Sequence, residues 1–176
     1  MRVLHAQLGR HFTLGELVQV RADLAFVTLP KEHLRSAVLH LRDICRFSHL
    51  VLMTAVDWLE EERFQLTYLL HNREKHWDLG LRVMIPRVAS HMESIHDIWP
   101  TAATYQRELK EMFGIDFPGS PGVDESFILE GWKDIPPYRR DFDTRHYAEK
   151  TFTQREGRKT EDPAKTMKAK FYPDET

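Results

Sequence analysis

Residues 49–86 read HLVLMTAVDWLEEERFQLTYLLHNREKHWDLGLRVMIP. The run holds three strand patterns separated by two polar turns. His49 to Val56 is almost continuously apolar, as in a strand covered on both faces. Phe64, Leu66, Tyr68 and Leu70 alternate with Gln65, Thr67 and Leu69. Leu79, Leu81, Val83 and Ile85 alternate with Gly80, Arg82 and Met84, and period-two alternation puts each set on one side of a pleated sheet. Glu60-Glu61-Glu62 and Asn72-Arg73-Glu74-Lys75 supply the connections.

Working outward, Leu17, Val18 and Val20 form one short strand. Leu24, Phe26, Val27 and Leu29 form another, with Arg21-Ala22-Asp23 as the turn between them. Pro30 opens a helix, a first-turn position where its missing N–H costs nothing. Leu34, Val38, Leu41 and Cys45 then share one helical face. On the other side, Trp99-Pro100 precedes a helix over Thr101–Phe113, which Gly114 stops. Ala102, Tyr105, Leu109, Met112 and Phe113 lie on its apolar face. The expected fold class is α+β: a mixed sheet with helices packed on one face, followed by an extended C-terminal tail.

The composition changes near Phe117. Pro118, Pro121, Pro136, Pro137, Pro163 and Pro173, six of the nine prolines, lie beyond it. From Asp143 onward the large apolar groups are too sparse for a core: Tyr147, Phe152, Met167, Phe171 and Tyr172. Such a segment is laid across a partner, with isolated aromatics as anchors, or is disordered. The expected division is therefore an α+β domain over 1–118 and a partner-wrapping tail over 119–176.

Composition excludes several functions. A net charge of −2 offers no basic excess for a nucleic-acid backbone. No apolar run approaches the ~20 residues of a membrane span, and the first residues lack the apolar stretch of a signal peptide. A membrane role would thus require another subunit to hold the chain there. One cysteine, Cys45, can build neither a disulfide nor an iron–sulfur or zinc site, which fits a reducing, cytoplasmic setting. His71 and His76, like His91 and His96, stand five apart, the wrong spacing for two ligands on one helical face. No Gly-rich phosphate loop or nucleophile elbow is present. Glu108 and Glu111 sit at i and i+3, but Arg107 and Lys110 beside them make charge pairing the simpler reading than acid–base work. The residues alone define an α+β domain with a partner-seeking tail, without catalytic, cofactor-binding or metal-binding residues. A small carboxylate enzyme or a free-standing adaptor are the other classes they leave open.

The stretch from Trp99 to Pro121 reads WPTAATYQRELKEMFGIDFPGSP. It resembles the signature of the 30-kilodalton (C) subunit family of respiratory complex I, roughly W-x-x-A-x-x-Y-E-R-E-x-x-D-M-F-G-I-x-F-x-G-H-P. Trp99, Ala102, Tyr105, Arg107, Glu108, Met112, Phe113, Gly114, Ile115, Phe117, Gly119 and Pro121 match. Asp57 to Tyr68 looks like the family's D-Y … R-F-x-V-x-Y strands. Trp132, Pro136 and Arg139-Arg140-Asp141-Phe142 look like its W-x-G-x-P-L-R-K-D-Y segment, and Arg155-Glu156-Gly157-Arg158 resembles a later stretch of some members. Gln106, Glu111, Ser120 and Val123-Asp124-Glu125 depart from the pattern. These departures point towards the homologous subunit of membrane-bound nickel–iron hydrogenases and related ion-pumping reductases. The 30-kilodalton subunit of an NADH-quinone oxidoreductase (NADH dehydrogenase) proper is the other branch.

The resemblance implies a subunit without cofactor that docks on a large catalytic subunit, which holds the quinone site or the nickel–iron centre. A neighbouring iron–sulfur subunit is also implied. The complex would sit peripherally on the cytoplasmic face of the membrane and couple electron transfer to ion translocation. Trp99, Tyr105, Arg107, Glu108, Phe113, Gly114, Gly119, Pro121, Trp132, Tyr138, Arg139, Arg140 and Asp141 are the signature and interface candidates. Arg107 and Glu108 either hold the fold or cross the subunit boundary.

Overall fold

The computed structural model describes residues 1–152 and 163–171. These fall into two compact units, Met1–Phe142 and Asp143–Thr176. The first is built on a five-stranded sheet of order β1-β2-β5-β4-β3. Its strands are β1 (Leu17–Gln19), β2 (Leu24–Thr28), β3 (His49–Trp58), β4 (Arg63–Asn72) and β5 (Trp77–Pro86). All neighbours are antiparallel except β2 and β5, which run parallel. The sheet is thus mixed, as its sequence implies, and the fold class is α+β.

Alternation decides which side is buried. Phe64, Leu66, Tyr68 and Leu70 of β4 and Leu79, Leu81, Val83 and Ile85 of β5 are all inaccessible. They meet the apolar stripes of three helices: α1 (Arg2–Leu8), α2 (Leu34–Asp43) and α3 (Ala102–Phe113). Leu4 and Leu8 come from α1, Leu34, Val38 and Leu41 from α2, and Ala102, Leu109 and Met112 from α3. Removing one of these leucines would cost about 2–5 kcal/mol.

The reading of His49–Val56 as a strand covered twice is corrected. β3 is an edge strand, and Thr54 and Val56 face solvent while Met53, Ala55 and Asp57 face the core. A bulge between Leu50 and Leu52 shifts its register. The apolar run contains the extra residue, so the true alternation is broken and unreadable by period. Cys45 lies just past the end of α2, half-buried, and its carbonyl accepts from Asn72 Nδ2 at 2.8 Å. Asn72 Oδ1 accepts the N–H groups of Glu74 (3.0 Å) and Lys75 (2.9 Å), so one buried amide shapes the β4–β5 turn.

Gly80 is a packing requirement. It lies opposite Phe26 across the parallel pair. A Cβ built there would stand 2.2 Å from Phe26 Cδ1, so the ring of β2 occupies the space over the glycine of β5.

The first unit does not end at the composition break. It runs through 119–142, because that segment is fastened to α3 and to β3, as described below. The second unit contains α4 (Thr144–Thr151) and α5 (Pro163–Phe171), two helices where the sequence pattern predicts an extended tail. Asp143 caps α4 by accepting from the His146 N–H at 2.9 Å. Arg155 to Arg158 lie outside the described residues.

Candidate functional site

The signature residues divide by what they touch. At the start of α3, Trp99 is buried and donates its indole N–H to the Ser48 carbonyl at 3.0 Å. Tyr105 donates its hydroxyl to the Val51 carbonyl at 2.9 Å. Val51 is the residue in the β3 bulge, where a ladder partner is missing, so Tyr105 satisfies the group the bulge leaves open. Gln106 is fully buried, and its Oε1 accepts from Ser94 Oγ at 2.7 Å. A neutral amide costs less to enclose here than the carboxylate of the family pattern, and its Nε2 is buried with no acceptor among the described residues.

At the other end of the helix, Phe113 packs edge-on between Phe64 at 6.0 Å and Tyr138 at 5.7 Å. Gly114 has φ +78°, and its N–H closes the helix on the Lys110 carbonyl at 2.9 Å. A side chain there would need the left-handed region and would press on Pro136 Cγ at 3.3 Å. Gly119 also has φ +80°, with open space around it. Pro121 is exposed and begins a turn in which Val123 packs, half-buried, against the core.

The outward side of α3 carries the returning segment. Glu111 accepts three backbone N–H groups: Phe127 at 2.7 Å, Ile128 at 2.8 Å and Leu129 at 3.0 Å. One carboxylate thus replaces the partners a short strand would offer. Lys110 bonds Asp116 at 2.7 Å and also Asp124. Both contacts, Asp116 foremost, push its ammonium pKa up, and Lys110 in turn holds Asp116 below the usual carboxylate range. Arg107 lies over the Phe127 ring at 5.3 Å and reaches Glu125 only at 3.8 Å. Its Nε is shielded from solvent and has no acceptor. Glu108 is half-buried, and its carboxylate has no hydrogen bond or ion pair among the described residues. Among the described residues, then, the charge pairing expected between Glu108, Glu111, Arg107 and Lys110 is not made: Lys110 turns to Asp116 and Asp124, and Glu111 holds backbone N–H groups.

Residues 136–142 are fastened more deeply. Asp57 is buried and accepts Arg87 Nε at 2.7 Å and Nη2 at 2.9 Å. It also accepts the Arg140 backbone N–H at 2.9 Å. Arg87 extends to Asp141 at 2.9 Å, which Arg139 approaches at 3.3 Å. Burial raises the Asp141 pKa, but the hydrogen bonds from Arg87 and Arg139 outweigh it and leave the carboxyl lowered. Arg140 places its guanidinium on Glu60 at 2.7 Å. The Tyr138 N–H meets the Met112 carbonyl at 3.0 Å. Trp132 donates to the Ile135 carbonyl at 3.0 Å, with its ring 5.5 Å from Phe142.

Asp57 and Arg87 were not among the sequence candidates as a pair. A signal existed: Asp57 falls in step with Met53 and Ala55, on the inward side of β3. A carboxylate at an inward strand position requires a cation.

The histidines are spread through the fold. His71 meets Asp78 across β4 and β5 at 2.8 Å, and His96 meets Ser94 at 2.8 Å. Among the described residues no group of three or more His, Cys, Asp or Glu comes together to hold a metal ion. No described helix is long and apolar enough to cross a membrane.

In this arrangement the signature and the residues around it fasten a surface segment to a sheet domain. The family model described as respiratory-chain NADH dehydrogenase, 30 Kd subunit, matches residues 27–148. The chain belongs to that family. It is 34% identical over 142 residues to the NADH-quinone oxidoreductase C-type subunit of Rhodobacter capsulatus, covering 79% of this chain and 70% of the relative. It is 37% identical over 120 residues to the corresponding subunit of Ruegeria pomeroyi, covering 68% of this chain and 59% of that one. Among solved structures, a chain of the membrane-bound sulfane sulfur reductase, an archaeal respiratory membrane complex, superposes with a TM-score of 0.72. That match has 27% identity and covers 89% of this chain and 96% of the other.

Proposed function

We propose that this chain is a docking and assembly subunit of the hydrophilic arm of a complex I-like membrane redox complex. It carries no cofactor itself. Iron–sulfur clusters, and a nickel–iron centre or quinone site, belong to its partners, a large catalytic subunit and a neighbouring iron–sulfur subunit. The complex lies on the cytoplasmic face of the membrane, and this subunit joins it through those partners. One observation carries the reading: the segment 123–142 is held rigidly by Glu111, Asp57 and the Met112 carbonyl, yet it keeps apolar groups outside. Ile128 is 67% exposed and Tyr138 58% exposed, on backbone that is already ordered. Groups ordered beforehand lose less entropy on association. Arg107 and Glu108, lacking full partners among the described residues, together with Trp132 and Arg139, supply polar contacts of the docking surface. The described residues beyond 142 are taken, by the same proposal, to lie against a partner as well.

Within this class the hydrogenase-like, ion-pumping branch is favoured. The supporting observation is the match to the archaeal sulfane sulfur reductase, in which nearly the whole of that chain is covered. The higher identity to the Rhodobacter capsulatus protein favours a second reading, an NADH-quinone oxidoreductase proper. Affinity purification of the full chain from gently solubilised native membranes, with partners identified by mass, separates them. A nickel–iron-type large subunit without an NADH-oxidising flavoprotein supports the first, and an NADH-oxidising module supports the second. Recovery of the chain by itself overturns both.

A further inference from the structure

Within the first unit the helices cover one side of the sheet and leave its other side without a helix. Val18, Phe26, Leu52, Val56, Leu69 and Met84 stand on that outer side, Val18 48% and Val56 43% exposed. An antiparallel sheet facing water ordinarily carries polar residues there. The charges on this face are one-sided. Thr28, Arg82, Thr67 and Thr54 form one row across four strands. Arg82 lies over the Phe26 ring at 4.1 Å, and its Nε is shielded from solvent with no acceptor. Arg63, at the end of β4 and opposite Trp58, is exposed. Neither guanidinium bonds or ion-pairs with a described residue. Among the strand residues of this face the one carboxylate is Asp78, and His71 already holds it at 2.8 Å.

We infer that the outer sheet face is a second docking surface, separate from the 123–142 segment, for a neighbouring subunit that brings an apolar patch with a carboxylate opposite Arg82. The inference rests on the docking role proposed above. Charge complementarity selects the occupant. A second copy packed face to face would bring the same cationic face, whose one strand carboxylate, Asp78, is already engaged, and so would offer Arg82 no free partner. A purely apolar partner would bury the Arg82 donors without an acceptor, a penalised arrangement. A carboxylate satisfies the fork in two parallel hydrogen bonds.

The test uses the full chain within its membrane complex, carrying a photo-activatable phenylalanine analogue at Thr54, an exposed position in the Arg82 row. The expected product is a crosslink to another subunit, at a peptide containing Asp or Glu. In that background Arg82→Glu should lower the crosslink yield about tenfold or more through like-charge repulsion, while Arg82→Lys retains most of it. A crosslink to a second copy, to residues 143–176 of the same chain, or to nothing in the co-purified complex overturns the inference and leaves the docking role standing. Failure of the unsubstituted chain to co-purify overturns both.

Discussion

The returning segment is fastened at two places, and the two differ in depth. Near 136–142 the fastening is Asp57 with Arg87, whose side chains are 1% and 10% exposed. Near 123–129 it is Lys110 with Asp124, and Asp124 is 84% exposed. Chemically both are carboxylate–cation contacts. Water decides their worth: a desolvated pair cannot lose one member without stranding the other, whereas an exposed pair exchanges its partner for solvent. Glu111 stands between them, a single carboxylate holding three backbone donors.

Asp57→Ala should therefore show the largest effect. It strands the Arg87 guanidinium and the Arg140 N–H, at a cost of about 3–5 kcal/mol. Urea unfolding followed by circular dichroism measures it, and a loss comparable to an exposed pair would erase the contrast. Glu111→Ala should cost about 2 kcal/mol, since three donors lose a charged acceptor in a half-exposed setting. Hydrogen exchange should quicken at Phe127, Ile128 and Leu129 and stay slow at Tyr68. Uniform quickening would mean that the segment is integral to the core. Gly114→Ala should cost about 1–2 kcal/mol for the left-handed conformation, with a lowered unfolding midpoint as the readout. Lys110→Ala should cost less than about 1 kcal/mol, and the difference from the parent chain should shrink as salt is raised.

A fifth expectation concerns acid. Hydrogen bonds from Arg35, at 2.9 and 2.5 Å, hold Asp97 down to a pKa of about 2, from an ordinary value of 3.8. The folded value is the lower one, so the contribution is complete above the unfolded value and is lost as the pH falls towards 2. Unfolding midpoints of the parent chain and of Asp97→Asn should converge between pH 4 and pH 2. A gap that stays constant over that range removes the Arg35 contact from the acid response.

The sheet was legible because β4 and β5 alternate cleanly, and α2 and α3 because their stripes recur at helical spacing. The helix α1 was not: seven residues burying Leu4 and Leu8 leave a single i, i+4 pair, too little for a periodic signal. The bulge in β3 hid inside an apolar run. The site was legible in identity but less so in role. Trp99, Tyr105 and Gly114 stood out by resemblance, and the structure occupies them with local backbone. Along the sequence Glu111 is one half of a surface charge pair, because spacing on a helix cannot reveal a chain returning from 16 residues later. Asp57 and Arg87 stand 30 residues apart, and only the inward phase of Asp57 marked it.

The ring of Phe26 over Gly80 fixes the order in which this pair of strands can change. A side chain gained at 80 while 26 is aromatic meets carbon at 2.2 Å, so that step forces the ring out of its place. Exchange of Phe26 for a small residue first opens the space that a side chain at 80 would need. The same ring also carries Arg82. A lineage that trimmed Phe26 would release the guanidinium in the same step, so the route to a new β2–β5 seam runs through a change on the open face.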